Sequence, residues 1–259
     1  MNKTAAQTRQ KIREGIIDAP TSGLAPGHVQ ANLAIVTKDL AYDFLLFAQR
    51  NPKPCPILDV TDTGSPVPRL MAPGADIRYD VPRYFVYENG VKTSELKNLE
   101  NVWRDDFVAF LIGCSFSFET AMLNAGLPIR HIEEKRNVPM YITNMPCVPA
   151  GTFHGDMVCS MRPLSPADAI RAVKVTARFP SVHGSPVHLG DPAAIGVKDI
   201  NKPDFGDPPV IREGEIPVFW ACGVTPQSVA MASKPPIMIT HAPGYMFICD
   251  KFDEDLSVF

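Results

Sequence analysis

Five side chains able to do chemistry, Asn144, Cys147, Thr152, His154 and Asp156, stand in a Pro- and Gly-rich loop between two apolar runs. Such a loop is poor packing material, and functional groups concentrate on loops held by rigid elements. The second run finishes on Arg162, whose planar guanidinium fork suits a carboxylate better than an ammonium would. Arg178 is a second arginine of this kind, with a surface ion pair as its simpler reading.

A different signal lies in Gly-Cys-Ser-Phe-Ser-Phe-Glu at 113–119. A Gly-Cys-Ser turn feeding a helix sets the Cys114 thiol and the Ser115 and Ser117 hydroxyls beside helix amides. Such amides lower a thiol pKa and stabilise an oxyanion. The competing reading is a small-residue junction around an inert buried cysteine. Glu119, at the end of this stretch, is a candidate general base.

His183 and His188 with Asp191, together with His154 and Asp156, supply nitrogen and oxygen donors for a divalent ion. None of their spacings matches the helical i, i+4 pair or the short loop pair of common zinc sites. Proton transfer or hydrogen bonding is therefore favoured over metal binding, and no cofactor is assigned.

These residues need elements to position them. Residues 4–17 read as a helix, and 19–27, with Pro20, Gly23, Pro26 and Gly27, as loop. From Thr37, a fair cap, apolar residues fall at helical spacing until Pro52 and Pro54 stop them. Residues 56–60 read as a short strand, and Asn89-Gly90 joins 83–87 to 91–93 in a two-residue hairpin. Asp105 or Asp106 is expected to cap a helix through Phe107, Phe110 and Leu111, with a second helical run ending at Gly126.

Residues 138–143 and 157–161 read as strands. Ser165-Pro166-Ala167-Asp168 is a strong helix start, with the helix running to about Arg178. Most of 179–214 reads as loop, interrupted by a short strand at 195–200; a loop of that length in a compact chain is usually functional. A strand at 216–222, a helix opening at Thr225-Pro226 and a strand at 237–240 form a βαβ pattern, which predicts a right-handed crossover in a parallel sheet. Residues 245–249 give a last strand. In open α/β sheets ligands sit beyond the carboxyl ends of strands. That rule selects Asn144 to Cys147, Arg162, Cys222 to Thr225 with Gly223 among them, and His241 to Tyr245. Thr225 is most simply a cap whose neighbouring amides could hold an anionic group.

Composition bounds the answer. The chain has 259 residues, a 45% hydrophobic and 20% charged share, and a formal charge of −3 with no long run of either sign. That is an ordinary globular chain, without the basic face expected of a nucleic-acid or anionic-membrane partner. Twenty-six prolines are spread along the chain without a low-complexity block, which predicts many fixed loops. The six cysteines are scattered with no Cys-x-x-Cys pair, so free thiols in a reducing, cytoplasmic compartment are expected. Residues 4–17 carry Arg9, Lys11 and Arg13 and faintly resemble a transit peptide, but a docked helix is the favoured reading. No window approaches the length of apolar chain that spans a bilayer.

Four stretches taken together resemble one known family. They are the 113–119 segment, Val-His-Gly-Ser-Pro-Val-His-Leu-Gly-Asp-Pro at 182–192, Pro-Val-Phe-Trp-Ala-Cys-Gly-Val-Thr-Pro-Gln at 217–227, and Thr-His-Ala-Pro-Gly at 240–244. The family is that of provisionally named hydro-lyases related to the first module of mitochondrial D-glutamate cyclase. The resemblance covers essentially the whole chain. It implies a lyase that eliminates water, and the vertebrate relative cyclises D-glutamate to 5-oxo-D-proline. That relative also carries a second, C-terminal module, which this sequence does not contain.

The residues then take provisional roles. Glu119 or His183 is the base, and Arg162 with the amides near Gly223 and Thr225 is the carboxylate anchor, helped by Ser115 and Asn144. His241 or His154 is the acid, and a thioester on Cys114 is a less favoured route. The alternatives are a metal-dependent hydratase of a small oxo acid using His183, His188 and Asp191, and a non-catalytic binder of small carboxylic acids. The partner in each case is a small carboxylic acid, with a homo-oligomer left open. The expected fold is mixed α/β. Residues 1–146 and 215–259 form a larger three-layer lobe, 147–214 a smaller inserted two-layer lobe, and the site lies in the cleft between them.

Overall fold

The computed structural model describes residues 3–258. In chain order the first half holds α1 (Lys3–Arg13), β1 (His28–Thr37), α2 (Lys38–Arg50), β2 (Ile57–Val60), β3 (Tyr84–Glu88), β4 (Val91–Leu96) and β5 (Phe107–Gly113). The middle holds α3 (Glu119–Asn124), α4 (Arg130–Glu133), β6 (Met140–Pro146), β7 (Asp156–Leu164) and α5 (Pro166–Thr176). The chain ends with β8 (His188–Leu189), β9 (Ile216–Ala221), α6 (Thr225–Ser233), β10 (Met238–His241) and β11 (Phe247–Phe252).

The fold is mixed α/β, built on two sheets. The larger has the order β2-β5-β1-β10-β3-β4, with β11 also pairing β1; the smaller has the order β6-β7-β9-β8. Every strand pairing is antiparallel. The parallel βαβ unit expected at 216–240 is therefore not formed: β9 lies in the smaller sheet and β10 in the larger, and α6 carries the chain from one to the other. Length and composition of the three segments are those of a crossover, but a crossover within one sheet and a bridge between two have the same local pattern.

The expected helix at 105–111 is β5, buried along its whole length and paired with β1 and β2. A short continuous apolar run does not distinguish a buried strand from a buried helix by periodicity. β1 is the central strand and is absent from the expected elements: His28, Gln30 and Asn32 alternate with Val29, Ala31 and Leu33, yet all six are buried. The segment 195–200 is not a strand; a single 3-10 turn covers Pro192–Ile195.

Other expectations are met. Asn89 and Gly90 both take positive φ and close the β3–β4 hairpin. The Ser165 hydroxyl accepts from the Asp168 amide at 3.1 Å and starts α5. Thr37 stands at the cap position of α2, though its side chain makes no cap bond.

One face of the larger sheet packs on Met71, Ala72, Ile77 and Val81 of the loop before β3 and on Leu99 after β4, and the other on Phe44, Phe47 and Ala48 of α2 with Val229 and Ala230 of α6. The smaller sheet places Val218 and Trp220 against α3 and α5. Its opposite face carries Tyr141, Cys159, Met161 and Phe219. A separate apolar cluster, including Cys114, Phe116, Val158, Cys222 and Met246, draws on segments from both sheets. Among the described residues no helix is long and apolar enough to cross a membrane.

Candidate active site

The period of two along β7 turns Cys159 and Met161 to one face and Ser160, Arg162 and Leu164 to the other. Arg162 thereby enters the space under α3 and α5, fully buried, with its guanidinium 5.4 Å from the ring centres of both Phe118 and Trp220. A buried guanidinium needs an anion and hydrogen-bond acceptors, since an unpaired buried charge is very costly. Glu119 supplies the charge: its Oε1 accepts from Nε of Arg162 at 3.1 Å and from Nη2 as well. Ser115 Oγ accepts from Nη2 at 3.1 Å and Ser160 Oγ from Nη1 at 3.2 Å.

Glu119 is shared. Nε2 of His131, on α4, lies 3.1 Å from the same Oε1. The Ser22 hydroxyl donates to Oε2 at 3.3 Å and sits 3.4 Å from His131 Nε2. Burial alone would raise the Glu119 pKa, but the opposing pull of His131 and Arg162 wins and holds it below the usual carboxylate value. His131 stacks on Phe116 at 5.9 Å and borders a narrow cleft with Arg130, Glu134, Arg136 and Asn137, which residues 208–210 also line. Nη1 of the buried Arg130 has no hydrogen-bond partner there.

Beside this network the family-like stretches meet. Asn32 of β1 donates to the Gly113 carbonyl at 2.6 Å, and its carboxamide occupies the space a side chain on Gly223 would need. His183 takes φ 82 and is fully buried. Its Nδ1 donates to the Lys53 carbonyl at 2.9 Å and Nε2 is unpartnered. Burial, with the nearby charges of Lys53 and Arg162, lowers its pKa to about 4, so it is neutral. The Cys114 thiol accepts from the Phe116 amide at 3.4 Å. Burial raises its pKa well above the ordinary thiol value despite Arg162. Burial likewise pushes Cys222 up to about 11.

The structure thus brings Cys114, Ser115, Glu119, Arg162, His183 and Gly223 into one buried polar seam. Thr225 stands behind it as a staple, donating to the Cys222 carbonyl at 2.7 Å and accepting from the Val158 amide at 3.0 Å. His241 lies on the far side of β1, where Nδ1 accepts from the Leu33 amide at 3.1 Å. Two residues stand apart. His154 is exposed, its backbone bonded to Ser233, and Asn144 is exposed against Gly196. The fork of Arg162, expected to take a substrate carboxylate, holds Glu119.

His188 turns to the Asp191 carbonyl at 2.7 Å, and among the described residues no three His, Cys, Asp or Glu side chains converge as metal ligands would. The six cysteines are free, and all of them are buried. His131 was missed by sequence reasoning. Nothing in Arg130-His131-Ile132 marks it, and only its placement against Glu119, twelve residues away on another helix, gives it a role.

Comparison with known proteins agrees with the stretches that build this seam. Residues 108–250 match the family model described as D-glutamate cyclase. A provisionally named hydro-lyase of Psychrobacter arcticus is 64% identical over 99% of this chain and 98% of its own length. One from Thermoanaerobacter sp. is 62% identical over 99% and 97%, and one from Bacillus subtilis is 61% identical over 96% and 97%.

Proposed function

The chain belongs to the D-glutamate cyclase family, whose close members are provisionally named hydro-lyases, and from that premise we propose that it eliminates water from a small amino acid, most concretely D-glutamate, giving 5-oxo-D-proline. The observation that carries this reading is the Glu119–His131 pair: a carboxylate kept ionised by Arg162 orients an imidazole whose ring borders the Arg130 cleft.

In the cyclisation the amino nitrogen attacks the γ-carboxyl carbon, a C–N bond forms, and a C–O bond breaks as water leaves. The nitrogen passes from three hydrogens as an ammonium to one in the lactam, and the carboxylate oxygen that leaves as water takes up both protons. His131 suits both transfers, because one imidazole can take a proton from the ammonium and hand it to the oxygen, and then repeat the transfer from the nitrogen of the adduct. Glu119 holds the ring in place and offsets its positive charge while it carries the proton. Arg130 donates through Nη2 to Glu215 at 2.5 Å and has Nε 3.2 Å from Glu133, which leaves its unpartnered Nη1 and the guanidinium of Arg136 to answer a carboxylate in the cleft. The cleft is narrow, so glutamate enters only if the 208–210 wall yields. This reading puts the reaction between the two sheets, with β6 and β9, expected in the larger lobe, belonging to the smaller sheet.

The test is incubation with D-glutamate, L-glutamate and 5-oxoproline, followed by mass spectrometry for loss or gain of one water. Interconversion confined to the D-enantiomer, and cut at least about 100-fold in His131→Gln, is the expected result. No interconversion by a folded protein, or full activity in His131→Gln, overturns it.

A further inference from the structure

A cavity of about 870 Å³ opens on the other side of the turn that carries Glu119, between α3, α5 and the C-terminal segment. Thr120, the residue after Glu119, lines it. Asp253 also lines it, is only 5% exposed, and leaves Oδ1 without a hydrogen-bond partner. That oxygen is closed off from the cavity as it is from solvent, so it is the charge of Asp253, rather than this atom, that the lining offers a ligand. Burial raises the Asp253 pKa to about 7 against the pull of the Thr120 and Ser117 hydroxyls, and the charges of Glu119 and Glu254 push it the same way.

The other charges in the lining are of both signs. Lys174 is exposed on the rim, and Arg178 beside it bonds the Ser257 hydroxyl at 3.2 Å. A purely anionic ligand would face Asp253 and Glu254, and a purely cationic one would face Lys174 and Arg178. A ligand with one charge of each sign answers both. Phe252, Phe179 and Val175 supply apolar walls between the charged groups, suited to an uncharged side chain rather than to a second carboxylate.

We propose that this cavity is a binding site for a neutral α-amino acid with an apolar side chain, its ammonium on Asp253 and its carboxylate on Lys174. The site is separate from the Glu119–His131 pair and does not depend on the chemistry proposed there. The two share one short turn, since Glu119 and Thr120 are consecutive.

Isothermal titration of the whole chain with leucine of either hand tests it, against 4-methylpentanoate, which lacks the ammonium, and 3-methylbutylamine, which lacks the carboxylate. Leucine is expected to bind, and each analogue to bind at least about tenfold more weakly. Asp253→Asn keeps the shape and removes the charge, and Lys174→Ala alters only an exposed side chain. Each is expected to weaken leucine about tenfold, with circular dichroism unchanged. Absence of leucine binding to the wild-type chain, analogues as tight as leucine, or full affinity in Lys174→Ala overturns the proposal.

Discussion

Nδ1 of His241 accepts from the Leu33 amide at the point on β1 between the last pair made with β10, at Ala34, and the first made with β11, at Ala31. The ring fills a gap in the ladder, where a buried amide would otherwise lack a partner. Buried and neutral, it has its pKa lowered to about 4, as His183 has. In the unfolded chain both protonate near 6.5, so between about 6.5 and 4 the unfolded state binds more protons and stability falls as pH falls. Each ring contributes up to roughly 3 kcal/mol of that loss. Denaturant unfolding at pH 7, 5.5 and 4 should show the slope, and His241→Gln, which can still accept from Leu33, should flatten it. An unchanged slope in that variant would show that His241 titrates normally in the native chain.

Glu119 is the sole carboxylate on the buried Arg162 among the described residues. Glu119→Gln leaves a guanidinium buried without a counter-charge, and breaking such a pair costs about 3–5 kcal/mol. Replacing both partners, as in Glu119→Gln with Arg162→Met, removes the stranded charge and should recover much of that loss. Urea midpoints of the single and double variants decide it. The idea fails if the double variant is less stable than Glu119→Gln alone.

The sequence shows the hairpin at Asn89-Gly90, the Ser165 cap and the stretches that meet at the seam, because each depends on local stereochemistry or on long, distinctive strings. It does not show β1, where Gln30 and Asn32 break an apolar strand yet are buried themselves. Gln30 is held by Thr21 and Ser117, and Asn32 by Gly113. Polar residues satisfied by distant partners look like surface until those partners are known. The same holds for Arg162, read as a substrate anchor and found to hold a carboxylate 43 residues away. Nor does local pattern say whether consecutive strands share a sheet, so β9 and β10 were joined where the fold separates them.

Gly113 allows the loop bearing His183 to lie on the end of β5. A Cβ there would collide with the Ser181 carbonyl and lie 2.9 Å from the Val182 Cα and 3.1 Å from the Pro56 ring. Two of these three are backbone atoms and cannot swing aside. Gly113→Ala should cost about 1–3 kcal/mol, the usual range for an overpacked core. Hydrogen exchange should quicken most at the Val182 and Gly184 amides, which are bonded to the Phe179 carbonyl. Uniform exchange across the chain would mean the strain is shared rather than placed on this loop.

Cys114 is positioned as a nucleophile would be, at the start of a turn and accepting from the Phe116 amide, yet its pKa is raised rather than lowered. Burial is the largest cause, Cys222 and Glu119 add to it, and the Phe116 amide with Arg162 only partly oppose it. A thiol in that state is protonated at neutral pH and a poor nucleophile. A serine hydroxyl can accept the same amide bond, so Cys114→Ser keeps the turn. With D-glutamate as substrate, Cys114→Ser should turn over close to the wild-type rate, and iodoacetamide should leave Cys114 unlabelled in the folded chain. Loss of turnover by orders of magnitude in a folded Cys114→Ser protein would restore the thioester route and make Glu119, rather than His131, the base to examine.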